Sequence, residues 1–281
     1  MYDSIVIGGG PGGLSAAVAL RSRNRSVLII SNPTEQNPLY RAEQIDNYLG
    51  LPGKTGAELM ELFLQHALSS GAELKTGRVL SALDFGTHYV LTVGSELYEG
   101  KSLILASGVA RGQKYPGEQE LLGRGVSYCA TCDGMLYRQK PVCVVGRSSD
   151  APQEANYLAS IGCQVTYVSP QPPKGLSPSI PFIRAHRLEI VGQERVDGLR
   201  ADGALLPCAG VFILRESVAP VDLLPGLALE EGYVMVDRSM RTNLRGVFAA
   251  GDCTGKPLQI SKAVGEGLIA GEYADEFLAT L

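Results

Sequence analysis

The start of the chain restricts its fold more than any other segment. Residues 3–7, Asp3-Ser4-Ile5-Val6-Ile7, read as a buried strand that runs straight into Gly8-Gly9-Gly10-Pro11-Gly12-Gly13. An apolar helical stretch from Leu14 to Leu20 follows, and then a second strand from Val27 to Ile30. Strand, glycine turn, helix, strand is the opening of a dinucleotide-binding α/β fold. In such an opening Gly8 permits the tight turn, Gly10 lets the backbone approach a pyrophosphate, and Gly13 lets the helix pack closely on the strand. The first N–H groups and the dipole of the helix favour negative charge. The acidic residue that usually holds a ribose is missing, because the second strand ends in Ser31-Asn32.

A second opening stands later in the chain. Pro141 to Gly146 reads as a strand, Ser149 to Ile161 as a helix and Cys163 to Val168 as the next strand. Its turn, Gly146-Arg147-Ser148-Ser149-Asp150-Ala151, keeps only the first glycine. Ser148 stands where a pyrophosphate needs bare backbone, and its Cβ would crowd the phosphates. The strand after the helix ends in Ser169-Pro170-Gln171-Pro172-Pro173, with neither an arginine for a 2′-phosphate nor an acid for a ribose. The second fold is therefore expected to form while its nucleotide site is dismantled. The alternative is that Arg147 and the serine hydroxyls bind phosphate in an unorthodox way. The fold class expected is α/β, with two Rossmann-like domains, the second inserted in the first.

Between the two openings lies Cys129-Ala130-Thr131-Cys132-Asp133-Gly134. Two cysteines three apart fit half of a zinc site, an iron–sulfur ligand pair or a redox disulfide. At a helix start such a pair would have its thiolate stabilised, and Asp133 beside it could exchange the proton that dithiol chemistry requires. Cys143, Cys163, Cys208 and Cys253 look isolated, and His66, His88 and His186 show no ligand spacing, so no metal site is expected and the four cysteines read as buried core residues. The net charge of −4 argues against a general nucleic-acid binder. No apolar run reaches the roughly 20 residues of a membrane span, and the first residues carry no basic region or cleavage site. A cytoplasmic protein is expected.

The order of these motifs resembles the low-molecular-weight thioredoxin reductases over nearly the whole length. The resemblance rests on Gly8 to Gly13, Ile45-Asp46-Asn47-Tyr48-Leu49-Gly50, Ala106-Ser107-Gly108, Cys129 to Gly134, Gly246-Val247-Phe248-Ala249-Ala250-Gly251-Asp252, and Gln259 to Gly267. It implies FAD as cofactor, with its pyrophosphate along Gly8, Gly10, Pro11, Gly12 and Gly13. Further contacts would come from Ser31, Asn47, Val79, Gly108, Gly251, Asp252, Gln259 and Ile260. Asp252 would hold the ribityl chain, and Gln259 with the start of the last helix would face the isoalloxazine, whose reduced form a helix N-terminus stabilises. It further implies that Cys132 lies nearer the flavin, that Cys129 attacks the disulfide of thioredoxin, that Asp133 acts as acid and base, and that the chain is a homodimer. Residues 1–112 and 237–281 would form the FAD domain and 113–236 the redox-disulfide domain. Gly108 and Gly112 on one side and Arg241 to Gly246 on the other would serve as joints between two poses.

The chain departs from the NADPH-using members of that family at one function. Arg147, Ser148 and Ser169-Pro170 replace the second glycine motif and its basic cluster, and Arg215-Glu216-Ser217-Val218-Ala219-Pro220 departs as well. The flavin and disulfide motifs stay. This pattern resembles the ferredoxin-dependent flavin thioredoxin reductases and implies ferredoxin as electron donor. Ferredoxins are acidic, so Arg138, Lys140, Arg147, Arg184 and Arg187 are candidates for its docking. Rival readings are an NADPH-dependent reductase with an atypical nucleotide site, a flavin-linked dithiol oxidase with a second flavin in the emptied site, and a non-catalytic metal-binding or redox-sensing module.

Overall fold

A computed structural model describes residues 1–109, 114–215 and 219–281. The chain forms two compact units. Met1–Ala110 and Ser217–Leu281 make unit 1, and Arg111–Glu216, inserted between them, make unit 2.

Unit 1 begins with β1 (Tyr2–Ile7), α1 (Pro11–Arg21), β2 (Val27–Ser31), α2 (Gly56–Ser69) and β3 (Glu73–Thr76). The antiparallel meander β4 (Val79–Asp84), β5 (Tyr89–Val93) and β6 (Glu96–Leu105) follows. The sheet order is β3-β2-β1-β6-β5-β4. The first half of the ten-residue β6 pairs with β5, and its second half runs parallel to β1. Strand side chains alternate between faces, so each central strand feeds two cores. Val6, Ile29 and Ile104 pack with Leu14, Ala17 and Leu20 of α1 on one face. Ile5, Ile7, Leu28, Ile30, Leu103 and Leu105 pack with Ala82, Tyr89 and Leu91 of the meander on the other. A strand covered on both faces needs an unbroken apolar run, and the central strands have one.

Unit 2 contains β7 (Val126–Ser127), the short helix α3 (Ala130–Asp133), β8 (Pro141–Arg147), α4 (Ala151–Ser160), β9 (Gln164–Ser169), β10 (Phe182–Arg184), β11 (Leu188–Gly192), β12 (Val196–Ala201), β13 (Ala204–Pro207) and β14 (Gly210–Arg215). A parallel sheet runs β10-β9-β8-β14-β7, and β11-β12-β13 form a separate antiparallel sheet. The second doubly wound core expected from the sequence is therefore present.

The chain returns to unit 1 through α5 (Pro220–Leu223), the hairpin β15 (Leu229–Glu230) and β16 (Tyr233–Val234), β17 (Val247–Ala249) and α6 (Ile260–Leu278). β17 adds to the second half of β6, in parallel. This corrects the expected boundary at 237. Leu223, Leu224, Leu227 and Val234 bury themselves in the same core as Ile5 and Leu103, so the stretch from 219 onward belongs to unit 1. Arg241 to Gly246 is likewise no joint. Arg241 bridges Phe248, Leu103 N–H donates to Gly246 C=O, and a Cβ on Gly246 would strike the Phe277 ring. Of the other positions named as joints, Gly112 lies outside the described residues, as do Glu216, Ser217 and Val218. Gly108, at φ +68°, has open space around it. Among the described residues no helix is long and apolar enough to cross a membrane.

Candidate functional site

In unit 1, α1 and α6 lie side by side and start at the same end. Gly12 faces Ala263, Ser15 Oγ donates to Val264 C=O at 2.7 Å, and Arg23 meets Glu272 at 2.6 Å. The close approach requires small residues. A Cβ on Gly267 would collide with the Gly12 carbonyl, and one on Gly271 would come to 2.7 Å from Ala19 Cβ. Two helix N-termini are thereby brought together at the C-terminal ends of β1, β6 and β17, where ligands bind in open parallel sheets. Neither helix has a side-chain cap or an acidic residue in its first turn. α2 shows the contrasting case, a helix start capped by its own side chains. Thr55 Oγ1 accepts from Glu58 N–H at 3.2 Å while Glu58 accepts from Thr55 N–H at 2.8 Å. The first N–H groups of α1 and α6 are left for something else.

The glycines of the first turn divide by cause. Gly8 sits at φ +115°, with the Ala106 carbonyl where its Cβ would go, and Gly13 packs against the Gly8 carbonyl. Gly9 lies over Ser31, whose Oγ donates to the Asn32 carbonyl at 3.0 Å. The protein's own packing accounts for these three. Gly10 is different: a Cβ there would meet one atom within 4 Å, Asn37 Nδ2 at 3.3 Å. No internal packing demands glycine at that position, and the approach of a phosphate does. The residues therefore fit a pyrophosphate-bearing cofactor. Asn37, which the sequence reading missed, faces the same space, and its Oδ1 accepts from Leu39 N–H. Only proximity in the fold could have revealed it.

Other expected cofactor residues converge on this end of unit 1. Asn47 Nδ2 donates to Gln259 Oε1 at 3.0 Å across 212 positions of sequence, and both side chains are exposed. Gln259 is the N-cap of α6 and Ile260 its first residue. Gly251 and Asp252 lie in the turn before it. That turn is tied to α6 by Glu266, whose Oε2 accepts from Gly251 N–H, Thr254 Oγ1 and Lys262 Nζ at 2.8–3.0 Å. Lys262 Nζ also donates to the Gly251 carbonyl at 2.9 Å. This carboxylate–ammonium clasp was another feature not read from the sequence. Val79 is buried in the core, which leaves only its backbone for a ligand.

In unit 2, Cys129 and Cys132 form a disulfide with Cα atoms 5.3 Å apart. Cys129 is the N-cap of α3, and its Sγ accepts from Cys132 N–H at 3.0 Å, the role a serine or aspartate oxygen usually takes. A Cβ on Gly134 would come within 2.8 Å of Leu158 and 2.9 Å of Ile161, so this glycine lets α4 pack against the redox turn. Glu154 of α4 accepts from Ala130 N–H at 3.4 Å, which puts a second carboxylate beside Asp133 at this turn. Cys129 is buried, Cys132 is exposed and Asp133 is half-buried.

The C-terminal ends of the paired strands β8 and β14 in unit 2 correspond to the ligand position of a doubly wound sheet. Here side chains fill it. Arg147 and Arg215, register partners at the strand ends, flank the Tyr115 ring with guanidinium carbons 5.7 and 5.1 Å from its centre. Arg147 Nε donates to Tyr115 Oη at 2.6 Å. Arg215 makes a two-pronged pair with Glu118 at 2.6 and 2.8 Å, and Tyr128 Oη and Tyr115 N–H donate to the same carboxylate. Glu118 is fully buried. Burial alone would raise its pKa, and the donors from Arg215, Tyr115 and Tyr128 outweigh it and hold the carboxyl below the usual range. Gly146 also changes meaning. A Cβ there would overlap the Tyr167 hydroxyl, so this glycine seats a tyrosine. Burial pushes that phenol up to about 12. Arg147, named both as a phosphate ligand and as a docking residue, is thus engaged internally. Arg138, Lys140, Arg184 and Arg187 are exposed. Tyr115, Glu118 and Tyr128 carry no motif and could not have been picked out from spacing.

An α/β core of the dinucleotide-binding type, joined in one chain to a second such core bearing a Cys-x-x-Cys disulfide, is the architecture of a disulfide oxidoreductase that uses a nucleotide cofactor. The family model described as pyridine nucleotide-disulphide oxidoreductase matches residues 2–267. The thioredoxin reductase of Aquifex aeolicus is 34% identical over an alignment of 303 positions, covering 99% of this chain and 94% of the relative. A ferredoxin-flavin thioredoxin reductase from Clostridium acetobutylicum superposes with a TM-score of 0.91 at 40% identity, over 100% of this chain and 99% of that one. A thioredoxin reductase from Gloeobacter violaceus superposes at 0.82 and 32%, covering 99% and 94%. The chain belongs to the pyridine nucleotide-disulphide oxidoreductase family, among the thioredoxin reductases, whose cofactor is FAD.

Proposed function

We propose that this protein reduces thioredoxin with electrons that come from ferredoxin, not from NADPH. The observation that carries the reading is the filled crevice of unit 2. Tyr115 between Arg147 and Arg215, the buried Glu118 pair and Tyr167 over Gly146 take the space and the cationic groups that a nicotinamide nucleotide would require. The likeness to the ferredoxin-flavin thioredoxin reductase of Clostridium acetobutylicum supports it from outside the chain.

In this reading Gly8, Gly10, Pro11, Gly12 and Gly13 hold the pyrophosphate of FAD on α1. Ser31, Asn47, the Val79 backbone, Gly108, Gly251, Asp252, Gln259 and Ile260 hold the rest. FAD supplies the step between one-electron donors and the two-electron chemistry of a disulfide. The start of α6 offers N–H groups and the positive end of a dipole to negative charge on the ring. The Cys129–Cys132 disulfide takes up two electrons and two protons to become a dithiol, with Asp133 relaying a proton. Cys129 then attacks the thioredoxin disulfide, and Cys132 displaces the reduced thioredoxin from the mixed disulfide. Exposed Arg138, Lys140, Arg184 and Arg187 attract an acidic donor.

The test is anaerobic reduction of the bound flavin with NADPH, NADH and reduced ferredoxin side by side. Rapid bleaching by ferredoxin and none by micromolar NADPH is expected. Bleaching by NADPH at that level would overturn the choice of donor and leave the reductase class intact. Two FAD per chain on extraction would instead favour the oxidase with a second flavin.

A further inference from the structure

Tyr128 stands immediately before the redox pair and ties it to the buried ion pair of unit 2. Its hydroxyl donates to Glu118 Oε1 at 2.8 Å across ten positions of sequence. Glu118 is fully buried and is held from two other directions. Arg215, at the end of β14, engages both of its oxygens, and the Tyr115 N–H donates to Oε2 at 2.8 Å. The stretch between Glu118 and β7 is closed on itself. The Leu121 carbonyl accepts from Val126 N–H at 3.1 Å, and the Val126 carbonyl accepts from Gly123 N–H at 3.0 Å. The anchor is thus fixed before the chain reaches the cysteines.

The segment that enters Cys129 has few other supports. β7 is an edge strand of two residues, paired with Val211 and Phe212 of β14. Tyr128 and Cys129 lie beyond that ladder. Ser127 Oγ accepts from Cys129 N–H at 3.0 Å, and Asp133 N–H donates to the Cys129 carbonyl at 3.3 Å. In the oxidised protein the S–S bond also fixes Cys129 against Cys132. Reduction removes that bond. The hydrogen bonds on either side of Cys129 then decide whether its sulfur stays on the Cys132 N–H, which lies 3.0 Å from it in the disulfide form. A donor aimed at the sulfur favours thiolate over thiol, and the thiolate is the attacking form.

We propose that Glu118, acting through the Tyr128 hydroxyl, is a positioning residue for Cys129 and keeps its sulfur on the Cys132 N–H once the disulfide is open. The ion pair that fills the crevice of unit 2 therefore has a second task at the redox turn. This role rests on the attack assigned to Cys129 in the proposed function and not on the identity of the electron donor. Tyr115 provides the matched comparison. It belongs to the same cluster, but its hydroxyl accepts from Arg147 at the end of β8.

The experiment uses the full chain with bound FAD in a Cys132→Ser background, where Cys129 stays open and position 132 keeps its backbone N–H. The rate of Cys129 modification by iodoacetamide is followed by peptide mapping across acid, neutral and alkaline pH. A change in exposure moves the plateau of that profile, and a change in the hydrogen bond to the thiolate moves its midpoint. The carboxylates at the turn, Asp133 and Glu154, are the same in every protein compared. Tyr128→Phe keeps the ring and removes only the donor to Glu118. Its midpoint is expected to rise, slowing modification at neutral pH at least about threefold while the alkaline plateau does not fall. Tyr115→Phe, which removes an equal hydroxyl from the same cluster, is expected to keep the parent midpoint. An unmoved midpoint in Tyr128→Phe would overturn the proposal whatever happens to the plateau, and so would an equal rise in both variants. The midpoint is read on Cys129 itself, so its failure is distinct from any failure of ferredoxin to reduce the flavin.

Discussion

The two doubly wound cores of this chain start from the same strand–turn–helix design and put opposite things in the same place. In unit 1 the crevice beside the first strand is lined by a glycine with no packing reason to be one and by two helix starts with no side-chain cap. In unit 2 the equivalent crevice is occupied by Tyr115, Glu118 and two arginines, and its surviving glycine seats Tyr167. The difference teaches that a conserved architecture does not keep a ligand site. On the proposed function, the site is kept where polar groups are left without an internal partner and lost where the protein supplies partners of its own.

The largest expected effect tests the division of labour. Cys129→Ser should lower thioredoxin reduction by at least about a thousandfold, since the attacking thiolate is gone. FAD content, read from visible absorbance, should stay at the wild-type level, because unit 1 is untouched. Loss of flavin in that variant would break the separation of the two units' tasks.

Glu118→Gln probes the filling of unit 2. Removing one charge from a buried pair strands the other, at a cost of about 3–5 kcal/mol, and should appear as a lowered unfolding midpoint in urea. The pH dependence has a definite sign. The folded carboxyl titrates below its unfolded value, so its contribution is fully present above the ordinary carboxylate range and fades as pH falls through the lower, folded value. The gap between wild type and Glu118→Gln should therefore narrow in acid. A gap that widened there would show that the pair is not ionised.

Gly10→Ala probes the opening of unit 1. The added methyl meets little protein, so the circular dichroism spectrum and the apoprotein midpoint should hold. Loss of one phosphate hydrogen bond, about 1.5–3 kcal/mol, should weaken FAD about tenfold to a hundredfold by equilibrium dialysis. The smallest effect belongs to the capped helix. Thr55→Ala should cost about 1 kcal/mol of stability and leave FAD affinity alone. Weaker FAD in that variant would break the contrast between α2 and the two open helices.

Much of this was legible before folding was considered. The apolar runs of β1, β2 and β8 and the glycine turn announce two doubly wound cores, because those signals are local and repeat at the period of the element. The Cys-x-x-Cys pair is local too. The domain boundary was misread for the opposite reason. Leu223, Leu224, Leu227 and Val234 join a core most of whose members, from Ile5 to Leu105, lie over a hundred positions earlier, and no local pattern says which core an apolar residue will enter. The Asn47–Gln259 contact and the tie of Glu266 to Gly251 and Thr254 were invisible on the same grounds.

By itself the sequence determined the class of fold, the position of the open turn, the redox pair and the loss of the second glycine motif, since each depends on neighbours within a few residues. Only the tertiary structure decided what fills the second crevice and that Asn47 meets Gln259. Both depend on side chains brought within a few ångströms by segments that are distant in the chain, and the burial of Glu118 against Arg215 is stable only once the sheet has put their elements side by side.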